Sequence, residues 1–280
     1  MAPDTLISLV ITTYNRPDAL AAVVEACFDQ TDRAFEIIIA DDGSDESTQA
    51  CAERLRARSP VPLRHVWQPD QGFRLAMSRN RAILAARGDY ILILDGDCIP
   101  QRDFIAQHRR LAQPGCMVTG SRILLGQALT ARVLQQGLDM RRLGVAALFK
   151  LRLGRQINKC APLWLKLPDR GRVHRGFSYR RIKGCNMGAW RSDLVRVNGF
   201  DESFKGWGHE DADLVLRMHH AGVRRKDGAF ATEVLHLWHP EARRDHSDGN
   251  RAVVLQRERD GTILAARGLD GHTEAARTAG

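Results

Sequence analysis

Short, continuously apolar runs alternate with helical stretches in the first third of the chain, and this alternation limits the possible folds more than any other feature. Ser8–Thr13 and Phe35–Ala40 are apolar at nearly every position, which is typical of strands that are buried on both faces. Leu63–Trp67 and Tyr90–Leu94 predict two further strands. We therefore expect an α/β fold with a mostly parallel sheet covered by helices on both faces.

Three helices are predicted between these strands. Pro17 is tolerated at a first helical position, so a helix can run from there through Phe28. Ser44 is predicted to cap a second helix that ends near Arg58. The third helix spans about Arg74 to Arg87.

Acidic turns follow two of the predicted strands. Asp41 and Asp42 follow the second strand, and Asp95 and Asp97 follow the fourth, about 55 positions later. Because ligands of such sheets bind at the carboxyl ends of the strands, we expect these carboxylates to lie close together. The turn around Gly96 offers oxygen ligands that suit Mg²⁺ or Mn²⁺. A solvated Asp-Gly turn without a metal is the alternative.

Two late histidines are candidate metal ligands. His236 and His239 belong to the run Val234–His239, whose apolar start predicts a late strand. Because neighbouring side chains of a strand point to opposite faces, we expect only one of the two histidines to face a metal.

The segment Gly206–Leu214 combines an aromatic residue with a cluster of acids. Glycines on both sides of Trp207 permit an unusual backbone path that exposes the indole, a surface on which a sugar ring can stack. Three acids, Glu210, Asp211 and Asp213, then open a predicted helix. First-turn acids also favour a helix through its dipole, worth about 0.3 to 1 kcal/mol each, but this does not explain the glycines and the tryptophan. A carboxylate at this position can act as a general base.

Five short motifs occur in a characteristic order: Thr12–Asn15, Asp41–Ser44, Gln71–Arg74, Ser78–Asn80 and Leu94–Asp97. This series resembles that of the inverting, nucleotide-sugar-dependent glycosyltransferases of family 2, which have the GT-A fold. Each motif alone is common, whereas their order and spacing together are specific.

The segment Gly206–Leu214 resembles the C-terminal signature of the β-1,4-galactosyltransferases and of bacterial chondroitin-polymerase-type enzymes. The two resemblances together cover residues 7–122 and 182–240. They imply transfer with inversion from a UDP-linked donor of the galactose or N-acetylhexosamine type. The acceptor would be a hydroxyl of a glycan or of a lipid-linked saccharide.

The resemblance also implies the donor site. Thr12 and Asp42 would contact the base and ribose, and Asn186 would line the donor sugar, although an ordinary Gly/Asn turn is equally consistent with its sequence. The full set of implied donor contacts is Thr12, Tyr14, Asp41, Asp42, Arg74, Arg79, Asp95 and Asn186.

The metal, catalytic and acceptor residues follow from the same resemblance. Asp97 would be the principal carboxylate for Mn²⁺ or Mg²⁺, with Asp95 at the ribose or the metal. His236 would be the histidine ligand, and His239 is the alternative. The catalytic and acceptor-binding residues would be Asp211 as the base, Glu210 as the acid that orients the acceptor, and Trp207 as the stacking aromatic.

Positive charge is concentrated in one segment. Residues 121–183 contain 15 of the 42 Lys and Arg residues and two of the 33 Asp and Glu residues, so they carry +13 and the rest of the chain −4. We expect a nucleotide-sugar-binding half (1–122), a basic helical insertion (123–181), an acceptor-binding and catalytic half (182–267) and a flexible tail (268–280).

The basic insertion has two possible roles. Its apolar residues alternate with Arg and Lys as in an interfacial helix, which predicts peripheral contact with an anionic membrane. Alternatively, the apolar side belongs to the core and the arginines are solvated.

Other classes of protein fit the sequence less well. A pI near 9.7 meets the first criterion for nucleic-acid binding, but the charge is confined to the insertion, and we expect no nucleic-acid partner. A sugar nucleotidyltransferase would have a Gly-rich loop where Thr12–Asn15 stands. A catalytically silent sugar-binding relative would not need both Asp97 and Asp211.

The six cysteines indicate a compartment. None of them forms a C-x-x-C pair, which argues against a zinc ribbon or a thioredoxin-type site. Reduced thiols predict a cytoplasmic protein. The membrane contact predicted for the basic insertion would then be with the inner face of the membrane. The sequence also lacks a signal-peptide pattern and an apolar run that could span a bilayer.

Overall fold

The computed structural model describes residues 1–174, 176–177, 182–240 and 247–272. Within these ranges the chain forms ten strands and nine α-helices. The strands are β1 (Ile7–Thr13), β2 (Phe35–Asp41), β3 (Leu63–Trp67), β4 (Tyr90–Asp95), β5 (Cys98–Pro100), β6 (Cys116–Thr119), β7 (Arg122–Leu124), β8 (Asn186–Trp190), β9 (Arg224–Asp227) and β10 (Val234–His236). The helices are α1 (Pro17–Phe28), α2 (Glu46–Arg58), α3 (Leu75–Ala85), α4 (Phe104–Leu111), α5 (Gln127–Gln136), α6 (Val145–Leu153), α7 (Arg191–Arg196), α8 (Glu210–His220) and α9 (Ser247–Asp260).

A seven-stranded sheet with the order β3-β2-β1-β4-β8-β6-β9 forms the centre of the molecule. The first four strands in this order are mutually parallel. Strand β8 runs antiparallel to both of its neighbours, β4 and β6, and β9 is parallel to β6. The prediction of a mostly parallel α/β sheet is confirmed, and the sheet includes strands from both halves of the chain.

The central strands are buried on both faces. Leu9 and Ile11 of β1 pack in one hydrophobic core with α1 and α2, where Leu20 lies. Val10, between them, packs in a second core with α3 and α8 on the opposite face, where Ile83 lies. The continuous apolar runs in the sequence reflect this double burial.

The start of α2 differs from the prediction. Asp45, not Ser44, is the N-cap, and its side chain accepts a hydrogen bond from the Thr48 amide at 3.2 Å. The Ser44 hydroxyl instead accepts from the Asn15 amide at 2.9 Å, joining the loops that follow β2 and β1. Both residue types cap helices well, so the sequence does not discriminate between them.

A second, three-stranded sheet has the order β5-β10-β7. Strand β10 runs antiparallel to β5, which places His236 opposite Cys98, and parallel to β7. The predicted late strand is therefore confirmed, and it lies beside the turn that follows β4.

The basic segment contributes α5 and α6 between β7 and β8. Leu129 and Val133 of α5 are buried in the first core, whereas α6 buries only Leu148. Residues 175 and 178–181 of the basic segment lie outside the described residues, as do residues 273–280 of the predicted tail. The start of that tail is packed, because Leu269 is buried in the second core. Among the described residues, no helix is long and apolar enough to cross a membrane.

Candidate active site

The turn after β4 is held closely against β1. The Gly96 amide donates to the Thr12 carbonyl at 2.7 Å, and a Cβ atom on Gly96 would lie 2.4 Å from that oxygen. The Thr12 hydroxyl donates to Asp95 Oδ1 at 3.1 Å. Only glycine fits between the two strand ends, so Asp95 and Asp97 project from a fixed backbone.

Both late histidines approach Asp97. The Nε2 atom of His239 lies 3.2 Å from Asp97 Oδ2, and that of His236 lies 3.7 Å from Asp97 Oδ1. The expectation that only one of them faces a metal stays a prediction, and of the two only His236 belongs to the cluster whose ligand atoms lie within 4.8 Å of one another. Strand β10 ends at His236, so strand alternation does not extend to His239.

Cys98 lies in the same cluster, and its thiol is within 4.8 Å of ligand atoms of Asp97 and His236. Complete burial raises the pKa of Cys98 well above its usual range, and the neighbouring Cys185 raises it further. Cys98 is therefore a thiol in the absence of a metal, and a bound cation would deprotonate a thiol that coordinates it. The carboxylate of Asp97, the imidazoles of His236 and His239 and the sulfur of Cys98 are the available donor groups.

Asp41 shapes the turn after β2 from a fully buried position. Its carboxylate accepts a hydrogen bond from the Ser44 amide at 2.8 Å and lies 2.9 Å from His65 Nε2. Asp41 thus shapes the turn from within the protein, and its predicted contact with the donor stays a prediction. No sequence pattern pointed to His65, which reaches Asp41 from the adjacent strand β3.

Asp42 organises the loop that precedes α3. Its two oxygens accept hydrogen bonds from Gln68 Nε2 at 2.6 Å and from the Arg74 amide at 2.8 Å. Burial raises the pKa of Asp42 to about 6. Gln68 is a second residue that sequence reasoning missed, although it lies directly after β3, beside the end of β2.

Tyr14 and Arg74 lie at the open edge of this region. The Tyr14 hydroxyl donates to Asp70 Oδ2 at 2.9 Å, and this hydrogen bond raises the pKa of Tyr14. A cavity of about 460 Å³ opens beside Arg74, and its other wall includes Lys205 and Gly206. The two halves of the chain therefore border a common cavity.

Arg79 joins the two halves below the surface. Its guanidinium lies 3.0 Å from Asp95 Oδ1 and 3.2 Å from Glu210 Oε1, and stacks over the Phe200 ring at 5.0 Å. Arg79 is buried, and its predicted position near the donor stays a prediction. It is a positioning residue for the two carboxylates.

The Gly206–Gly208 turn directs the chain into α8. Gly206 has φ +65°, Gly208 has φ +105° and His209 has φ +73°, and glycine adopts such angles at little cost. The Trp207 side chain is exposed. Helix α8 begins at Glu210, as the sequence predicted.

Asp211 lies a short distance from the turn after β4. Its Oδ2 accepts a hydrogen bond from the Gly184 amide at 2.9 Å, and its Oδ1 accepts from the Ala212 amide at 2.7 Å. Cys185, the residue after Gly184, accepts a hydrogen bond at its carbonyl from the Asp95 amide at 3.3 Å. Asp211 and the Asp95–Asp97 turn are thus on the same side of the molecule.

Glu210 is buried between Asp211 and Arg79. Burial and the negative charge of Asp211 raise the pKa of Glu210 to about 7, although Arg79 opposes the shift. Its Oε2 atom is buried and has no hydrogen-bond partner in the part of the chain that the structure describes.

The raised pKa of Glu210 predicts a pH-dependent stability. Folded Glu210 titrates near pH 7 and unfolded Glu near 4.5, so its protonated form stabilises the fold, and this stability is lost as the pH rises through 7. Relative to wild type, Glu210→Gln should gain about 2 to 3 kcal/mol of unfolding free energy between about pH 5 and about pH 8. Urea unfolding at both pH values measures this change. Glu53→Gln, at an exposed site, is the control, and parallel profiles for wild type and Glu210→Gln would contradict the assignment.

The Asn186 side chain is held by hydrogen bonds inside the protein. It is fully buried, its amide donates to the carbonyls of Ser121 and Thr232, and its Oδ1 lies 3.1 Å from His108 Nε2. Its side-chain oxygen and nitrogen both have partners within the protein, and the predicted contact between Asn186 and the donor sugar stays a prediction.

Comparison with known proteins identifies the class. Residues 8–168 match the profile of glycosyl transferase family 2, and residues 171–240 match the profile described as the N-terminal domain of galactosyltransferase. Together with the mainly parallel sheet and its acidic edge, these matches define a glycosyltransferase with the GT-A fold. The chain belongs to glycosyltransferase family 2, so it is an enzyme of sugar transfer and not a sugar nucleotidyltransferase.

Two curated relatives cover most of this chain. Chondroitin synthase from Escherichia coli is 27% identical over 236 residues, which are 80% of this chain and 34% of the relative. Validoxylamine A glucosyltransferase from Streptomyces hygroscopicus subsp. jinggangensis is 29% identical over 233 residues, 78% of this chain and 52% of the relative. The chain thus spans between about a third and about a half of these proteins.

Two solved structures share the fold. The mannosyltransferase PcManGT from Pyrobaculum calidifontis, in complex with GDP-Man and Mn²⁺, has a TM-score of 0.57 at 18% identity, covering 94% of this chain and 65% of that chain. S. aureus TarS 1–349, in complex with UDP, has a TM-score of 0.57 at 12% identity, covering 95% of this chain and 68% of that chain.

Proposed function

We propose that this chain transfers a sugar from a nucleoside-diphosphate donor to an acceptor hydroxyl with inversion, and that Asp211 is the general base. The observation that carries this proposal is the position of Asp211. It opens α8 and is linked through Gly184 and Cys185 to the Asp95–Asp97 turn. An acceptor beside Asp211 and a donor diphosphate beside Asp97 can therefore meet in one cleft.

In the proposed reaction the acceptor oxygen forms a bond to the anomeric carbon while the bond from that carbon to the phosphate oxygen breaks. The electron pair leaves with the nucleoside diphosphate, and the acceptor proton moves to Asp211. Attack from the face opposite the leaving group inverts the configuration. Each Asp211 oxygen already accepts one amide hydrogen bond, and a carboxylate has about four acceptor positions, so it can still receive the acceptor hydroxyl.

Glu210 and Trp207 are the proposed acceptor contacts. The exposed Trp207 indole lies in the Gly206–Gly208 turn, and such a surface can stack against a sugar ring. Glu210, whose Oε2 atom is buried without a partner among the described residues, is proposed to orient the acceptor from beside Asp211. The proposed acceptor is a glycan or a lipid-linked saccharide.

The proposed donor contacts are Thr12, Tyr14, Asp42, Arg74 and Asp95, which surround the ends of β1, β2 and β4. We propose a UDP-linked sugar of the galactose or N-acetylhexosamine type. The match of residues 171–240 to the galactosyltransferase profile supports the sugar, and the UDP complex of TarS, which has the same fold, supports the nucleotide.

Asp97, His236 and His239 fit a divalent cation. Carboxylate oxygen and imidazole nitrogen are both ligands for Mn²⁺, and burial lowers the pKa of His236, which favours the neutral imidazole that binds metals. When bound, the cation supplies positive charge that offsets the charge of the leaving diphosphate. The Mn²⁺ complex of PcManGT supports this proposal.

The function is tested by incubating the protein with a panel of UDP- and GDP-sugars and Mn²⁺ and measuring the release of nucleoside diphosphate. This assay needs no acceptor, because water can replace it. We expect turnover of one UDP-hexose or UDP-N-acetylhexosamine above the others. Absence of binding and turnover for the whole panel would overturn the proposed function.

Asp97→Ala should reduce this turnover by at least about 100-fold, because a cation contributes several kcal/mol to charge stabilisation. It should also weaken Mn²⁺ binding measured by calorimetry. Asp103→Ala, which removes an acid next to α4 that faces Lys166, should leave both unchanged. Full activity of wild type after exhaustive chelation would remove the metal from the scheme.

The cysteines support a cytoplasmic location as part of the proposal. All six are unpaired, and five of them are buried. Disulfides form and persist mainly in oxidising compartments, so a set of free thiols fits a reducing one.

A further inference from the structure

Helix α6 presents its apolar residues to solvent. Val145, Phe149 and Leu153 are 52%, 56% and 69% exposed, and their spacing of four residues places them within an arc of about 80° on one helix face. Leu148 is the buried residue of the helix. The apolar stripe of α6 is therefore not explained by the core.

Three cations accompany this stripe. On a helical projection Lys150 and Arg152 lie on either side of it, and Arg155 follows the end of the helix. All three are exposed, and none forms an ion pair with any residue of the described ranges. The two acids of the basic segment are already engaged, Asp139 with arginines and Asp169 with Lys226.

A groove of about 400 Å³ lies at the end of α6. Arg152 and Arg155 line it together with Leu124, Leu125 and Ile157, of which Leu124 is exposed and the other two are buried. Guanidinium groups beside apolar walls match a phosphate headgroup and the first carbons of the chains attached to it.

We propose that α6 is a peripheral membrane-docking helix for bilayers of anionic phospholipid. We define the docking face as Val145, Phe149 and Leu153 together with Lys150, Arg152 and Arg155. An apolar arc with flanking cations is the arrangement that lies in the interface of an anionic bilayer. A second copy of the chain fits this face less well. Contact between two copies through α6 would bring Lys150, Arg152 and Arg155 of one copy close to the same cations of the other, and like charges repel.

The docking face is connected to the candidate active site by backbone hydrogen bonds. The Gly126 amide donates to the Gln156 carbonyl after α6 at 2.8 Å, and the Leu125 amide donates to the His236 carbonyl at 3.0 Å. Docking through α6 therefore holds the strand that carries His236 near the bilayer. The inference goes beyond the proposed function, and neither depends on the other.

Co-sedimentation with vesicles tests the proposal. Wild type should bind vesicles of mixed phosphatidylglycerol and phosphatidylcholine and bind phosphatidylcholine vesicles far less. Phe149→Ser/Leu153→Ser and the charge reversal Lys150→Glu/Arg152→Glu/Arg155→Glu should each lower the partition coefficient at least about tenfold. The matched control is Val195→Ser/Leu264→Ser, at residues that are 57% and 59% exposed and lie outside α6; it should bind as wild type does.

Several outcomes would overturn the docking proposal. Equal binding to both kinds of vesicle would do so, as would wild-type binding by both α6 variants. A change in sedimentation coefficient for Phe149→Ser/Leu153→Ser without vesicles would show that the face joins two copies instead. Every variant should keep wild-type thermal stability, because all the replaced side chains are exposed, and wild-type release of nucleoside diphosphate, so that a failed membrane assay is distinguished from a failed enzyme.

Discussion

Replacing Asp211 with asparagine should lower turnover of the nucleotide sugar by at least about two orders of magnitude, because general base catalysis contributes about 10²- to 10⁴-fold. Asparagine has nearly the same shape but cannot take a proton from the acceptor. Donor affinity should change little, since Asp211 contacts Gly184 and Ala212 and none of the proposed donor residues. Single-turnover kinetics and equilibrium titration with the donor measure the two quantities separately.

Asp248→Asn is the control for this prediction. Asp248 is an exposed acid in the first turn of α9, so it shares with Asp211 the favourable interaction with a helix dipole. If the dipole were the whole role of Asp211, both variants would lose a few tenths of a kcal/mol of stability and neither would lose turnover. Near-native turnover of Asp211→Asn would therefore refute its assignment as the base.

The sheet could be predicted because its determinants are local. Buried parallel strands need continuous apolar runs, and helices need a periodic face and a suitable first residue such as Pro17. The position of the acidic turns then follows from topology, since all parallel strands end at one edge. This is why Asp42, Asp95 and Asp97 could be expected together from residues far apart in sequence.

The buried polar partners could not be predicted in the same way. Asp41, Arg79 and Asn186 were expected at the donor, but each is engaged by residues from elsewhere in the chain. Arg79 and Glu210, for example, are 131 positions apart. A charged residue in a motif signals that a partner is needed, but it does not show whether that partner is a ligand or the protein.

The insertion of β8 between β4 and β6 could not be predicted from the sequence either. Its residues, Asn186–Trp190, follow the basic segment and carry no local sign of the strands they pair with. The same holds for His239, whose approach to Asp97 depends on where β10 ends. Strand alternation is a reliable guide within a strand, and it stops applying one residue after the strand stops.

Arg79→Met should destabilise the protein by about 3 to 5 kcal/mol, because removing one partner from a buried ion pair leaves uncompensated charge. Without the guanidinium, no cation lies between Asp95 and Glu210, so the pKa of Glu210, already about 7, should rise further and its ionisation should cost more. The loss of unfolding free energy should grow as the pH rises, because Glu210 then ionises in a buried position without the cation of Arg79. Urea unfolding on both sides of neutral pH measures the effect.

Two further variants separate this buried network from an ordinary ion pair. Arg56→Met breaks the exposed pair with Glu53 and should cost at most about 1 kcal/mol. Arg79→Met/Glu210→Gln should be more stable than Arg79→Met, because one of the two unpaired carboxylates becomes neutral. A loss in Arg79→Met no greater than in Arg56→Met, or no recovery in the double variant, would mean that Arg79 does not hold the two carboxylates. The position of the Glu210 carboxylate relative to Asp95 would then have to depend on the glycine turn before α8.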